Sequence, residues 1–298
     1  EPATELQLAQ MLCNNINAAV LNQIAAQIIT DNNLVVLYNG PEKEGLANPT
    51  EQEISAVLAA VKNAEIAANV EESINEPFIS GELKGAKVKK AKETVYGATE
   101  WTLKNGVKVI VLPTQHKQDQ VLFNLSFDGG KTLIATEDMP SFEDNIWALF
   151  QNNSGISKFS GTQVPKMLAG KNLSVTPYIG GTKHGISGSS TPKDLETALQ
   201  IAYLYFADPR FDENEYQTGI QQINALLPNI AKNPDFVFQN EMNRILYGNN
   251  PRIVELNEET MAKADLATIE RVYRELFKDA AGATLRIVGN VDPEAIKP

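Results

Sequence analysis

An α+β chain is what the sequence predicts, and three features carry that reading. They are two alternating apolar runs about the Asn105-Gly106 pair, a series of capped amphipathic helices between Thr191 and Lys278, and a closing apolar run at Ala283–Val288. Alternation at period two marks a strand, whereas recurrence at three and four residues marks one face of a helix.

Taken in order, Thr4 to Thr30 places Leu8, Met11, Leu12, Ile16, Val20, Ile24 and Ile28 near helical spacing, which predicts one long helix or two in series. Asn32-Asn33, the run Leu34–Tyr38 and Asn39-Gly40-Pro41 then read as a strand closed by a turn. Thr50-Glu51-Gln52-Glu53 spells a capping box, and Ile54, Val57, Leu58 and Val61 give the following helix its stripe. From Glu71 to Thr99 periodicity is lost among Ser73, Asn75, Pro77, Gly81, Gly85 and a lysine-rich stretch, so this segment reads as a solvated linker rather than a docking patch.

Trp101–Leu103 and Val107–Leu112 flank Asn105-Gly106, a hairpin signal because both turn residues tolerate positive φ. Val121–Phe127 adds a strand ending at Asp128-Gly129-Gly130, and a short apolar helix follows around Phe142–Phe150. Leu173–Ile179 and Lys183–Ser189 read as two more strands. Thr191-Pro192-Lys193-Asp194 supplies an N-cap, a proline at the first helical position and an early acid for a helix that Asp208-Pro209 stops. Asp212 caps the next, with Tyr216, Ile220, Ile223 and Leu227 inward and Pro228 expected to kink or end it. Helices near Asp235–Tyr247 and Leu266–Lys278 precede the final strand.

The 298 residues suffice for about two domains. With 43% hydrophobic and 21% charged residues, the chain fits neither wholesale disorder nor a membrane bundle. Asp and Glu outnumber Lys and Arg by 37 to 26, a net charge of −11, which argues against nucleic acid as a partner because phosphates need a cationic face. No apolar run reaches the roughly 18–20 residues of a bilayer span. Glu1-Pro2-Ala3 lacks a signal pattern and an initiator Met, so a processed protein or an excised piece is expected. Helix, Leu34–Tyr38 and Asn-Gly-Pro-Glu near the start find a weak echo in helix, Leu285–Val288 and Gly-Asn-Val-Asp-Pro-Glu near the finish. A real repeat would make the chain the end of one domain followed by most of the next, whereas a coincidence of common strand-then-turn endings would carry no such meaning.

From about Ala98 onward the chain resembles the pitrilysin-like (insulinase-type) zinc metallopeptidases, the inverzincins, in a bacterial two-half form. The matching pieces are Asn105–Ile110, Phe127–Gly130, Leu168–Lys171, Gly185–Ser190, Asp194–Glu196, Pro209–Asp212 and Val288–Glu294, in order and at the right spacing. The resemblance implies a LuxS/mitochondrial-processing-peptidase-like metallohydrolase domain, a mixed β-sheet with helices packed on one face. It divides the chain into 1–76, the C-terminal part of a preceding domain, 77–99, a linker, and 100–298, a domain like the third of the family. It also implies a clam shell of two halves around a peptide, with zinc held in the first half by His-x-x-Glu-His and a further glutamate, and the motif glutamate as general base.

The motif's slot here reads Pro140-Ser141-Phe142-Glu143-Asp144-Asn145-Ile146-Trp147-Ala148-Leu149-Phe150-Gln151, with no histidine in any register, and Gln221 and Gln222 stand where the third ligand would fall. Only two histidines exist. His116 reads as an exposed loop residue; His184, on or beside a strand, reads as packing or a peptide contact. Cys13, the single cysteine, lies on an apolar helical face and reads as core filler, and with one cysteine no internal disulfide is possible. Glu213 and Glu215 fit a helix first turn better than a catalytic pair. Gly180, Gly181, Gly185 and Gly188 lack the Gly-Lys-Ser/Thr of a phosphate loop, and Trp147, Tyr203, Tyr205 and Phe206 read as core.

No catalytic or metal-ligating residue is therefore assigned to this chain, no cofactor is expected in it, and its peptide-contacting residues are not named by sequence. The expected role is the non-catalytic portion of a zinc-dependent metalloendopeptidase, walling the chamber opposite the zinc and helping to hold peptide. Its partners would be the missing catalytic half and fourth domain of the same polypeptide and a peptide substrate, in a periplasmic or cell-envelope setting. A non-catalytic scaffold of the same family, and an unrelated α/β binding domain, are the competing readings.

Overall fold

The computed structural model describes residues 2–28, 30, 32, 34–40, 45, 47–67, 74 and 76–297. The chain divides into two units, Glu1–Glu71 and Glu72–Pro298.

In the first unit, α1 (Pro2–Asn15) and α2 (Ala18–Ile28) are two helices in series, and α3 (Glu51–Lys62) follows. Both bonds of the capping box at α3 form: Thr50 Oγ1 accepts from the Glu53 amide at 3.3 Å, and the Thr50 amide donates to Glu53 Oε2 at 2.7 Å. None of the three helices buries a residue. Cys13 is accordingly exposed rather than core, because among the described residues the apolar stripe around it has nothing laid over it. Leu34–Tyr38 forms no strand either, and Val35 and Leu37 are 86% and 90% exposed. An apolar run becomes a strand only where a neighbour takes up its backbone groups, and among the described residues it has none. Asn33, Pro41 and the start of the expected linker (Glu71, Ser73, Asn75) lie outside the described residues.

The second unit is built on β1 (Val88–Glu93), β2 (Thr99–Leu103), β3 (Lys108–Pro113), β4 (Val121–Asp128), β5 (Leu173–Ile179), β6 (Lys183–Ser190) and β7 (Thr284–Gly289), in the spatial order β1-β2-β3-β7-β4-β6-β5. Only β3 and β7 are parallel; the other neighbours are antiparallel. The helices are α4 (Asp144–Asn153), α5 (Gln163–Met167), α6 (Leu195–Ala207), α7 (Glu213–Ile230), α8 (Pro234–Tyr247), α9 (Glu258–Lys263) and α10 (Leu266–Leu276). Between β2 and β3 the Leu103 amide bonds Val107 O at 2.9 Å, enclosing Lys104, Asn105 and Gly106, the last at φ +89. That positive φ is what a glycine is needed for.

The sheet buries one face. Trp101, Val109, Val111, Phe123, Ile186 and Ile287 share a single core with Ile146 and Phe150 of α4, Ile201 of α6, Ile223 of α7 and Ile269 and Tyr273 of α10. This is the mixed sheet with helices on one face that the resemblance implied, and the strands between Trp101 and Val288 all join it.

Two local expectations differ. The stretch read as linker contributes β1, which pairs with β2 from Glu93↔Thr99 to Val88↔Leu103. An edge strand with one partner and mostly exposed side chains has no alternating burial to leave in its sequence. Pro228 does not end α7, which runs two residues further: the ring removes one i→i−4 hydrogen bond, and the helix still closes with the Ala231 amide on Leu227 O at 2.9 Å.

Candidate functional site

The slot that the resemblance assigns to zinc chemistry is a 3₁₀ turn, Thr136–Phe142, running into α4. Glu143 caps α4, its Oε2 accepting from the amides of Asn145 (2.8 Å) and Ile146 (3.2 Å) and its Oε1 from Asn145 Nδ2 (2.9 Å). An acid here satisfies helix-end donors and meets the positive end of the helix dipole. Beyond the cap, Ile146, Trp147 and Phe150 go into the core, where Trp147 stacks on Phe150 at 5.1 Å and Phe150 on Phe211 at 5.0 Å. Leu149 faces α7 at Gly219, where a Cβ would come within 2.9 Å of the leucine.

Zinc does not fit this donor set. Zn²⁺ in such sites takes imidazole, thiolate and carboxylate ligands, and the side chains α4 turns inward are hydrocarbon and aromatic. Gln221 and Gln222 are exposed on α7. Among the described residues no group of three or more His, Cys, Asp or Glu stands close enough to hold a metal ion. Beside α4 a pocket of about 20 Å³, lined by Leu149, Phe150, Ser154, Asp212, Glu215, Tyr216 and Leu266, has room for one water.

The acids flagged by sequence are structural. Asp212 Oδ1 caps α7 by accepting from the amides of Asn214 (3.0 Å) and Glu215 (3.1 Å), and its other oxygen takes Arg210 Nη2 at 2.6 Å. Glu215 Oε1 accepts from the Gly161 amide at 3.2 Å, tying α7 to the loop before α5. Trp147 and Tyr205 are core and Phe206 is partly so, stacking on Phe127; Tyr203, by contrast, is 44% exposed.

His116 is exposed in the loop after β3. His184 is 2% exposed, stacked on Phe127 at 5.1 Å and edge-on to Phe277 at 5.3 Å. Its Nε2–H donates to Leu276 O at 3.0 Å, and its Nδ1 accepts from the Gly130 amide at 3.3 Å. Both nitrogens are used by a neutral ring, and burial lowers its pKa from the ordinary 6.5, which keeps it so. Of the two outcomes open to it in sequence, the structure gives packing. Gly130, at φ +54, has no room for a Cβ, which would lie 2.6 Å from the Lys183 amide.

The edge position of β5 and the contact that guards it left no signal in the sequence. β5 is a sheet edge, and the bonds Gly180 N–H to Lys183 O (2.8 Å) and Thr191 N–H to Asn172 O (3.1 Å) set its phase. Ser174, Thr176 and Tyr178 spend their backbone groups on β6, so Leu173, Val175, Pro177 and Ile179 turn theirs outward. Pro177 has no N–H to offer, and its carbonyl already accepts from Gln151 Nε2 of α4 at 2.5 Å. An incoming strand would meet a missing donor and an occupied acceptor at the third of four outward positions.

No family model matches the chain. It is 24% identical over 296 residues to a zinc protease PQQL-like protein of Arabidopsis thaliana, covering 99% of this chain and 28% of that protein. Among solved structures it resembles the periplasmic protease PqqL of Escherichia coli, with TM-score 0.64 and 19% identity over 83% of this chain and 27% of that one. The ferredoxin protease FusC, solved as a mutant in complex with Arabidopsis ferredoxin, gives 0.59 and 17% over 85% and 28%. A peptidase M16 inactive domain from Pseudomonas fluorescens gives 0.53 and 15% over 67% and 48%. The chain is thus similar in sequence to a zinc protease and in fold to M16-type peptidases, and it spans little more than a quarter of the length of the first two proteases and of the Arabidopsis protein.

Proposed function

We propose that these 298 residues are a non-catalytic portion of an M16-type zinc metalloendopeptidase, walling the substrate chamber opposite the zinc site. Residues 1–76 would be the end of a preceding domain, 77–99 the connection, though it lends a strand to the sheet, and 100–298 the domain lacking the zinc motif. The observation that carries the reading is the zinc slot itself: in a fold shared with zinc proteases, it is filled by Ile146, Trp147 and Phe150, has no histidine, and spends its carboxylates Glu143 and Asp144 on the helix cap and on Lys131. The uncovered apolar stripes of α1–α3 support a unit whose remaining parts lie elsewhere in the polypeptide. Zinc, cleavage and the fourth domain would belong to the rest of the protein, and the periplasmic setting of the Escherichia coli relative supports a similar location here.

The test uses the parent protein and the 298-residue chain side by side. The parent should bind one zinc per chain and cleave peptides, while the isolated chain does neither. Stoichiometric zinc with peptide cleavage by the isolated chain would overturn the proposal. A parent with no His-x-x-Glu-His upstream, no zinc and no cleavage would establish the scaffold reading instead.

A further inference from the structure

The face of the sheet turned away from the helices is open and positively charged, although the chain as a whole carries −11. Residues paired across neighbouring strands point to the same side of a sheet. The register therefore runs one row through Lys90, Thr102, Lys108 and Thr284, and the next through Lys92, Glu100, Ile110 and Arg286. Four cations and one acid thus share the face of β1, β2, β3 and β7. Glu100 is bound to Lys92 at 3.1 Å, and among the described residues Lys90 and Lys108 have no ion pair. Arg286 is held in place, its Nη1 donating to Ser126 Oγ at 3.0 Å, while that hydroxyl donates to Thr284 O at 3.3 Å. A third row sets Leu112, Val288 and Leu122 side by side, outside the buried core, with Leu122 46% and Val288 37% exposed.

We propose that this open face, centred on Lys108 and Arg286, docks an acidic polypeptide segment. The occupant follows from charge: a fixed guanidinium fork and two uncompensated ammonium groups are receptors for carboxylates, and the adjoining apolar row receives aliphatic side chains between them. The size fits as well. From β1 to β7 is three strand spacings, about 14 Å at about 4.8 Å each, which an extended peptide covers in about four residues at about 3.3 Å per residue. The proposal stands independently of the protease reading.

The probe is a fluorescently labelled twelve-residue poly-glutamate peptide, titrated with the full 298-residue chain. Binding should weaken about tenfold between 50 and 200 mM NaCl, as screening of exposed charges requires. The pair Lys108→Glu/Arg286→Glu should weaken it at least about tenfold and Lys108→Gln/Arg286→Gln about fivefold, whereas Lys232→Glu, a charge change on the loop after α7, leaves it unaltered. Circular dichroism checks the fold of each variant, and if the charge-reversed pair fails to fold, the neutral pair decides. No binding, equal loss with Lys232→Glu, or no loss with either pair would overturn the proposal. So would equally tight binding of a single-stranded DNA of the same length, since the face would then take any polyanion rather than a carboxylate chain.

Discussion

At one edge of the sheet, β1 presents Lys89, Lys90 and Lys92 to solvent; at the other, β5 carries no charged side chain and relies on Pro177 and the Gln151 amide. Unpaired sheet edges invite pairing with other chains, and both devices oppose it, by different physics. Lysines act through their own charge and need nothing else in the fold. The β5 guard has two parts: a missing donor that proline carries with it, and an acceptor occupied only while α4 stays seated. A protection made by packing can be undone from a distance, whereas one made by charge cannot.

The largest effect should come from unseating α4. Phe150, buried between Trp147 and Phe211, is its anchor, and Phe150→Ala is expected to cost about 3–5 kcal/mol by urea denaturation. Gln151→Ala isolates the guard itself: loss of its bond to the Pro177 carbonyl should cost about 1 kcal/mol. Combined with Pro177→Thr, which restores an outward N–H, it should also let β5 self-associate, seen as dimer or larger species in sedimentation velocity. If the double variant stays as monodisperse as the parent chain, the edge is protected by something else.

A smaller effect depends on pH. Buried and neutral, His184 has a folded-state pKa below the ordinary 6.5, so the unfolded chain takes up that proton first. Stability should hold above about 6.5, fall as pH drops below it, and level off once the lowered folded value is passed. Thermal midpoints at about pH 7.5 and about pH 5.5 measure this, and His184→Gln should remove the difference even if it lowers both midpoints. The smallest effect on stability belongs to β1. Lys89→Thr, Lys90→Thr and Lys92→Thr together should change it by less than about 0.5 kcal/mol each while promoting self-association. Unchanged sedimentation would mean the lysines are not the guard.

The same contrast explains what the sequence could show. Strands inside the sheet were legible because one face is buried: Val121, Phe123 and Phe127 alternate with polar or exposed positions, and Asn105-Gly106 marks the turn before them. β1 was not, since an exposed lysine-rich edge reads like a linker. Caps were legible because they are local: Thr50, Thr191 and Asp212 each accept from the amide two or three residues on. The fate of an apolar stripe was not local. Cys13 and Leu34–Tyr38 have the pattern of core and strand but lack a covering partner among the described residues. The core role of Trp147 was legible from residue type, whereas the Gln151–Pro177 contact joins residues far apart in sequence and needed the fold.

The position of β7 has a consequence for how the sheet is made. The last strand of the chain lies between β3 and β4, in parallel register with one and antiparallel with the other. Until it is synthesised, nothing can join β1-β2-β3 to β4-β6-β5, and any part of the sheet formed earlier would leave an interior edge bare. Closing the gap brings together strands from opposite ends of the unit, a slow step for a chain with so many non-local contacts. A ribosome stalled before Thr284 would therefore display two sticky edges at once, and a nonsense change there should yield an aggregating product rather than a slightly shorter protein.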